Sequence, residues 1–139
     1  MKIIFSSIVI LFMLVSCSKK EDVKFETFNP EAFAYDIGDI WEVNATVNVR
    51  GFEKTEKDNL LFASLDYSVD VVNPDGEVLK DVFSNSMEFL EQELSDVQLE
   101  AQFEFEKTYM KGVYEIIFNI KDNLSGESVS DKVVFELQD

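Results

Sequence analysis

Residues 41–50 read WEVNATVNVR, and this stretch decides the fold of the chain. Every second side chain in it is apolar: Trp41, Val43, Ala45, Val47 and Val49. Because successive side chains of a strand point to opposite faces, the pattern predicts a strand with one buried face and one solvated face. Strands of this one-sided kind are typical of antiparallel sheets.

The same alternation returns four times further along the chain, at 63–71, 97–106, 114–120 and 133–137. Turn residues separate these segments, since 73–76 read NPDG and 123–127 contain a glycine. Proline presets one turn dihedral and glycine accepts a positive φ, so both stretches favour tight turns. A further strand is predicted over 77–83. The chain is therefore predicted to be all-β, a single antiparallel β-sandwich of about seven strands.

The aromatic residues divide into two groups by their place in the alternation. Five fall on its apolar phase and are predicted to be buried: Trp41, Tyr67, Phe103, Phe105 and Phe118. Four lie outside it: Phe25, Phe28, Phe33 and Tyr35. We interpret the second group as cover for an open end of the sandwich, because large apolar patches are seldom left bare on a monomer. A contact surface is the alternative.

Residues 84–96 do not follow the alternation cleanly. A helix is indicated by Asn85 and Glu88, which have the spacing of a capping box. A strand is indicated by the alternation of Met87 and Phe89. We expect an irregular connection that continues the preceding strand, with a short helix as the alternative.

Two stretches carry a resemblance to a known class of domain: Gly38 and Asp39 followed by a strand and Asn73 to Gly76, and Lys111 to Tyr114 followed by Asp122 and Gly126. They resemble the first strand entry, middle hairpin and final hairpin of bacterial immunoglobulin-like and macroglobulin-type domains. The resemblance covers roughly residues 31–138 and implies an immunoglobulin-like β-sandwich over 31–139, with a first strand around 33–37. The thioester motif of full macroglobulins is absent, so no covalent trapping chemistry carries over.

The N-terminal segment has the order of a secretory signal, with a positive start and an apolar run up to residue 15. The run ends in four residues that resemble the lipobox of bacterial lipoproteins: Leu14, Val15, Ser16 and Cys17. The resemblance implies a signal peptide over 1–16 and a diacylglyceryl group on the Cys17 thiol. Residues 17–30 are then the lipidated cysteine and a tether, and the lipid on Cys17 attaches the domain to a membrane.

A second resemblance lies within the tether. Lys20, Glu21 and Asp22 resemble the surface-export signal of Bacteroidota lipoproteins. Together with the lipobox, this implies a lipid-anchored protein of the cell outer membrane. Display on the cell surface and a periplasm-facing position both stay open, because three charged residues also suit a solvated linker.

The charge of the chain excludes some partners. Its 139 residues include 12 basic and 28 acidic ones and no histidine, for a net charge of −16. The predicted signal holds one basic residue and no acid, so its removal makes the chain one charge more negative. Such a surface repels phosphates, so no nucleic-acid partner is expected. Cys17 is the one cysteine, and no disulfide is expected either.

The sequence contains no constellation for catalysis. Without histidine there is neither a serine–histidine–acid triad nor an imidazole metal ligand, and the five glycines are scattered instead of forming a phosphate loop. We therefore expect no enzyme, but a lipid-anchored interaction module that docks another envelope protein or an external ligand. One alternative is an inhibitor or immunity-type lipoprotein whose acidic face blocks a basic toxin or enzyme. Another is a carbohydrate-binding accessory lipoprotein.

Four acidic residues form a candidate calcium site: Glu56, Asp58, Asp122 and Glu127. Carboxylate oxygens are calcium ligands, and the 53–59 loop shares an end of the sandwich with the 123–127 turn if 84–96 is a connection. If 84–96 adds a strand, Asp75 and Glu77 replace the first pair. The alternative is two solvated acidic loops, since no EF-hand loop is present. The sequence indicates no other cofactor.

Overall fold

A computed structural model describes residues 22–139, and this part of the chain consists of strands, turns and loops without a helix. Its strands are β1 (Glu26–Asp36), β2 (Ile40–Arg50), β3 (Thr55–Lys57), β4 (Leu60–Val72), β5 (Val78–Glu91), β6 (Val97–Glu106), β7 (Gly112–Asp122) and β8 (Ser128–Leu137). The predicted all-β antiparallel sandwich is confirmed, with eight strands. Several predicted features lie outside the described residues: the signal peptide 1–16, Leu14, Val15, Ser16, Cys17, Lys20 and Glu21.

The strands form two antiparallel sheets. The smaller sheet has the order β1-β2-β6. The larger has the order β5-β4-β7-β8, with β3 paired to the beginning of β4. The apolar phases of both sheets face each other and form one core. All five aromatics predicted to be buried lie in it: Trp41, Tyr67, Phe103, Phe105 and Phe118.

The two sides of the sandwich differ. On one side, which we call the closed side, β1 of the smaller sheet lies beside β8 of the larger sheet. On the other side, the open side, β6 and β5 are the edge strands. In the described part of the chain β6 pairs with β2 alone and β5 with β4 alone, so each has one free edge here.

The prediction for 84–96 is wrong over most of its length. Residues 84–91 continue β5 as a regular strand, and only 92–96 form a link to β6. Met87 pairs with Leu65 and Phe89 with Ala63, so both face the core side of β4. The alternation therefore decides the local structure, and the capping-box spacing has no structural counterpart.

The first strand and the 53–59 segment also differ from expectation. Strand β1 begins at Glu26, ahead of the predicted boundary at residue 31, and Pro30 lies within it. A proline is tolerated there because β1 is an edge strand, and the pairing with β2 shifts register beside it. The 53–59 segment contains strand β3, which Asp58 and Asn59 join to β4. Their φ values of 52° and 63° suit a two-residue hairpin turn.

The sandwich has a proximal and a distal end. The chain enters the fold at the proximal end, where the carbonyl of Lys24 lies against Gly51. A side chain at Gly51 would overlap that carbonyl, and its φ is 74°, so this approach requires glycine. The turns 37–39, 73–77 and 107–111 lie at the distal end.

Candidate functional site

Several exposed apolar side chains lie at the distal end of the sandwich. Four of them define what we call the distal patch: Tyr35, Ile37, Tyr109 and Met110. Their exposed fractions are 50, 52, 38 and 41 %, which is high for large apolar residues. They belong to two neighbouring segments, the end of β1 with the turn after it and the turn between β6 and β7. Grouped exposed apolar side chains mark interaction sites.

The turn between β6 and β7 is held in place by its own contacts. The Tyr109 ring stacks on Phe105 with centroids 4.6 Å apart. The Tyr114 hydroxyl donates a hydrogen bond of 2.6 Å to the carbonyl oxygen of Met110. Burial raises the pKa of Tyr114, so this hydroxyl stays a donor at all physiological pH values. One face of the turn is therefore anchored in the core while Met110 stays exposed.

The second turn is built around Asp36. Its carboxylate accepts a hydrogen bond of 3.0 Å from the backbone N–H of Gly38. The Lys107 ammonium lies 2.5 Å from the same oxygen and 3.7 Å from the centre of the Trp41 ring. Hydrogen bonding by Lys107 and by the Gly38 N–H lowers the pKa of Asp36. Lys107 thus connects the two segments of the distal patch.

Acidic side chains border the patch on the smaller sheet. Tyr35 pairs with Glu42 across β1 and β2, and Glu42 pairs with Glu104 across β2 and β6. Two carboxylates placed directly opposite each other on a sheet repel. In the described part of the chain no lysine or arginine forms an ion pair with either glutamate. A basic group of a partner would relieve this repulsion.

The predicted calcium residues lie at the proximal end. Asp122 is buried, and its carboxylate accepts hydrogen bonds from the backbone N–H of Glu53 at 2.7 Å and of Leu124 at 3.0 Å. The 53–59 segment and the 123–127 turn therefore share an end, as expected. The strand added over 84–91 prolongs β5 without a further reversal, so the alternative with Asp75 and Glu77 does not apply.

The four residues do not assemble into a ligand group. Glu56 lies in β3, Asp58 in the hairpin turn, and Glu127 in the last turn, all exposed. Within residues 22–139 no three acidic or cysteine side chains come close enough together to hold a metal ion. The Asp122 carboxylate instead organises the backbone around it. Calcium binding stays a prediction for which the described residues supply no cluster.

Only part of the distal patch could be predicted from the sequence. Of the aromatics interpreted as cover, Phe25 is buried, whereas Phe33 and Tyr35 are exposed. The cover interpretation is therefore wrong for these two residues. Tyr109 and Met110 were missed, although two large apolar residues between lysines in a turn are a readable signal.

Comparison of the chain with models of known protein families gives no match, and comparison with curated protein sequences gives none either. Residues 22–139 contain no helix with the length and apolar character needed to cross a membrane. The site is therefore interpreted from its own geometry.

Proposed function

We propose that this chain is a non-catalytic interaction module of the bacterial envelope, anchored to the outer membrane by lipid on Cys17, that docks a protein partner with its distal patch. One observation carries the proposal: four exposed apolar residues of two neighbouring segments lie at the end opposite to the one where the chain enters the fold. A module anchored through Cys17 presents that end away from the membrane. The resemblance to immunoglobulin-like domains supports this arrangement, since such sandwiches display their loops at two ends.

The patch has the physical properties of a docking surface. Tyrosine and other large side chains supply contact area, and the stacking of Tyr109 on Phe105 fixes one of them before binding. The ion pair between Lys107 and Asp36 likewise fixes the relative position of the two segments. Such preorganisation reduces the entropy lost on association. The partner that fits is an apolar protein surface with basic groups at its rim.

Capture of the partner from envelope extracts tests the proposal. The double variant Ile37→Asn and Met110→Asn removes the apolar character of the patch, and we expect it to retain less than a tenth of the wild-type partner. Val23→Asn is the matched control, because Val23 is even more exposed than Ile37 and Met110 but lies at the proximal end. Labelling by a tagged palmitate of wild type, but not of Cys17→Ser, tests the anchor. Equal partner recovery by the double variant and wild type contradicts docking through the patch.

The repulsion between Glu42 and Glu104 favours a second candidate, an inhibitor or immunity-type lipoprotein. Its acidic sheet face would then meet a basic toxin or enzyme. The same capture experiment separates the two, because recovery of a basic secreted enzyme that loses activity in the complex supports the second candidate. Retention of the chain on a glycan column, with no protein captured, supports a carbohydrate-binding accessory.

A further inference from the structure

A cleft of about 650 Å³ opens between the two sheets on the open side. The larger sheet ends there in β5, whose core-facing side chains Phe83 and Met87 are only half-buried. They stay half-buried because the smaller sheet ends at β6 and has no further described strand to cover them. The cleft therefore exposes apolar surface that belongs to the core side of the sandwich.

Two small residues deepen the cleft. Ala45 on β2 pairs directly with Ala101 on β6, and both face the core and line the cleft. Neighbouring pairs on the same face are larger: Val43 with Phe103, and Val47 with Leu99. The alanine pair leaves room at this level for side chains that do not come from the described chain.

In the described part of the chain no strand pairs with the free edge of β6, but one of its carbonyl groups is already engaged. The Tyr67 hydroxyl from the larger sheet, and not β2, donates a hydrogen bond of 2.6 Å to the Glu100 carbonyl oxygen. This carbonyl therefore faces the free edge, and an added strand must replace the hydroxyl there with a backbone N–H. In an antiparallel pair, residues alternate between those bonded to the neighbour and those facing the other way. The even-numbered residues of β6 therefore direct backbone groups to the free edge.

The three other long edge strands, β1, β5 and β8, carry features that hinder pairing with another chain, and the remaining edge strand, β3, is only three residues long. Strand β1 contains Pro30 beside a register shift, and β5 has a register shift where Asp81 adopts a φ of 50°. Strand β8 turns the Asp131 carboxylate toward the core side, opposite Phe118. Proline, bulges and inward charges are the usual protection of sheet edges. Strand β6 has an uninterrupted register of ten pairs with β2 and contains none of the three.

The charge of β6 indicates which kind of strand can pair with its free edge. Its solvent-facing phase is entirely polar and mostly acidic: Gln98, Glu100, Gln102, Glu104 and Glu106. Pairing with β6 of a second copy would place two such acidic rows side by side, which is destabilising. A strand with basic side chains on the same face is attracted instead. Charge complementarity thus favours a basic strand over a second copy of this chain.

We propose that the free edge of β6 binds an extended segment of a partner protein as a fourth strand of the smaller sheet, and that this segment alternates apolar and basic side chains. The apolar side chains enter the cleft and cover Phe83 and Met87. The basic ones lie beside Glu100 and Glu104 on the outer face. Main-chain hydrogen bonds give such strand addition its affinity, and the side-chain pockets give it specificity. This site contains none of the four residues of the distal patch and shares only Glu104 with its acidic border, so it goes beyond the function proposed there.

Synthetic peptides test the site on the full chain in detergent. An eight-residue peptide that alternates valine and lysine is the probe, and one that alternates valine and glutamate is its matched control. We expect the lysine peptide to bind at least tenfold more tightly. The double variant Glu100→Lys and Glu104→Lys should reverse that preference, because it changes only exposed charges beside the edge.

Two further variants separate strand addition from simple charge attraction. Ala101→Leu fills the cleft and Met87→Asn makes its wall polar, and each should weaken the lysine peptide at least tenfold. The unfolding midpoint of each variant shows whether the substitution disturbs the fold. The peptide affinity of a variant with the wild-type midpoint then tests the site. Affinity that is unchanged by that variant, or absent for wild type, overturns the proposal. Loss of peptide binding leaves the distal patch unaffected, so partner capture by the patch stays a separate result.

Discussion

The closed and the open side of this sandwich differ in how completely they cover the apolar core. On the closed side β1 and β8 lie beside each other, and the Phe135 ring stacks against Tyr114 with centroids 5.2 Å apart. On the open side the core-facing ring of Phe83 is half-buried beside a cleft. A small sandwich can therefore bury its core fully on one side and leave core-facing apolar side chains accessible on the other.

The largest expected effect compares one phenylalanine from each side. Phe135→Ala on the closed side should lower the free energy of unfolding by about 3–5 kcal/mol, as is usual for a buried aromatic residue. Phe83→Ala on the open side should lower it by only about 1–2 kcal/mol, because a half-buried ring removes less apolar surface from water. Urea unfolding of the two purified variants measures both. Equal losses would mean that the open side is packed as tightly as the closed side.

A smaller effect is expected at the bulge that protects the β5 edge. Asp70 is buried, and its carboxylate accepts hydrogen bonds from the Asp81 N–H at 2.9 Å, the Lys80 ammonium at 3.1 Å and the Asn119 amide at 3.1 Å. Asp70→Asn should cost about 2 kcal/mol at neutral pH, since it removes the charge and leaves donors less well paired. Asp39→Asn, in an exposed turn, is the control and should cost under about 0.5 kcal/mol.

The pH dependence of this difference has a definite sign. Burial of Asp70 raises its pKa, but the hydrogen bonds from Asp81 and Lys80 outweigh burial, and the pKa lies below its usual value of 3.8. A carboxylate with a lowered pKa stabilises the fold above the unfolded-state pKa and loses this contribution as the pH falls through the folded-state value. The advantage of wild type over Asp70→Asn should therefore shrink below about pH 4. An advantage that grows on acidification would contradict the assignment.

The smallest effect is expected at the hydrogen bond that joins the two sheets on the open side. Tyr67→Phe removes the donor to the Glu100 carbonyl and should cost about 1 kcal/mol, because that carbonyl lies at a free edge where water can replace the hydroxyl. Tyr35→Phe, whose hydroxyl is on the exposed patch, should change the unfolding free energy by less than about 0.5 kcal/mol. A loss well above 2 kcal/mol for Tyr67→Phe would indicate a dry, closed contact.

The sequence predicts the strands correctly wherever one face of a strand is fully packed on the core. Strands β2, β4, β6 and β7 follow the period of two because one face of each packs on the core. The pattern fails at β5, where the polar Asn85 takes a core-facing position. Asn85 lines the cleft between the two sheets, so its polar side chain is not enclosed in the core. This tolerance depends on how the two sheets are arranged, which the local sequence does not show.

The candidate site was less accessible to sequence reasoning. The sequence predicts Phe33 and Tyr35 to cover the core, because a monomer usually buries such residues. The pairing of β1 with β2 shows instead that both lie on the outer face. The distal patch joins segments more than 70 positions apart along the chain, held by the ion pair between Lys107 and Asp36. No local pattern encodes a contact of that range. The shared end of Glu53 and Asp122 was predictable because it follows from counting strand reversals.

The continuous strand β2 also fixes a distance. It runs through 11 residues from the turn beside the distal patch to Gly51, where the chain enters the fold. At about 3.3 Å per residue, its length is roughly 36 Å. The domain is thus a rigid spacer between the point where the chain enters the fold and the distal patch. Under the proposed function, a partner must therefore present its binding surface about 36 Å from the point where the chain enters the fold, and the length of one strand limits which envelope proteins can bind.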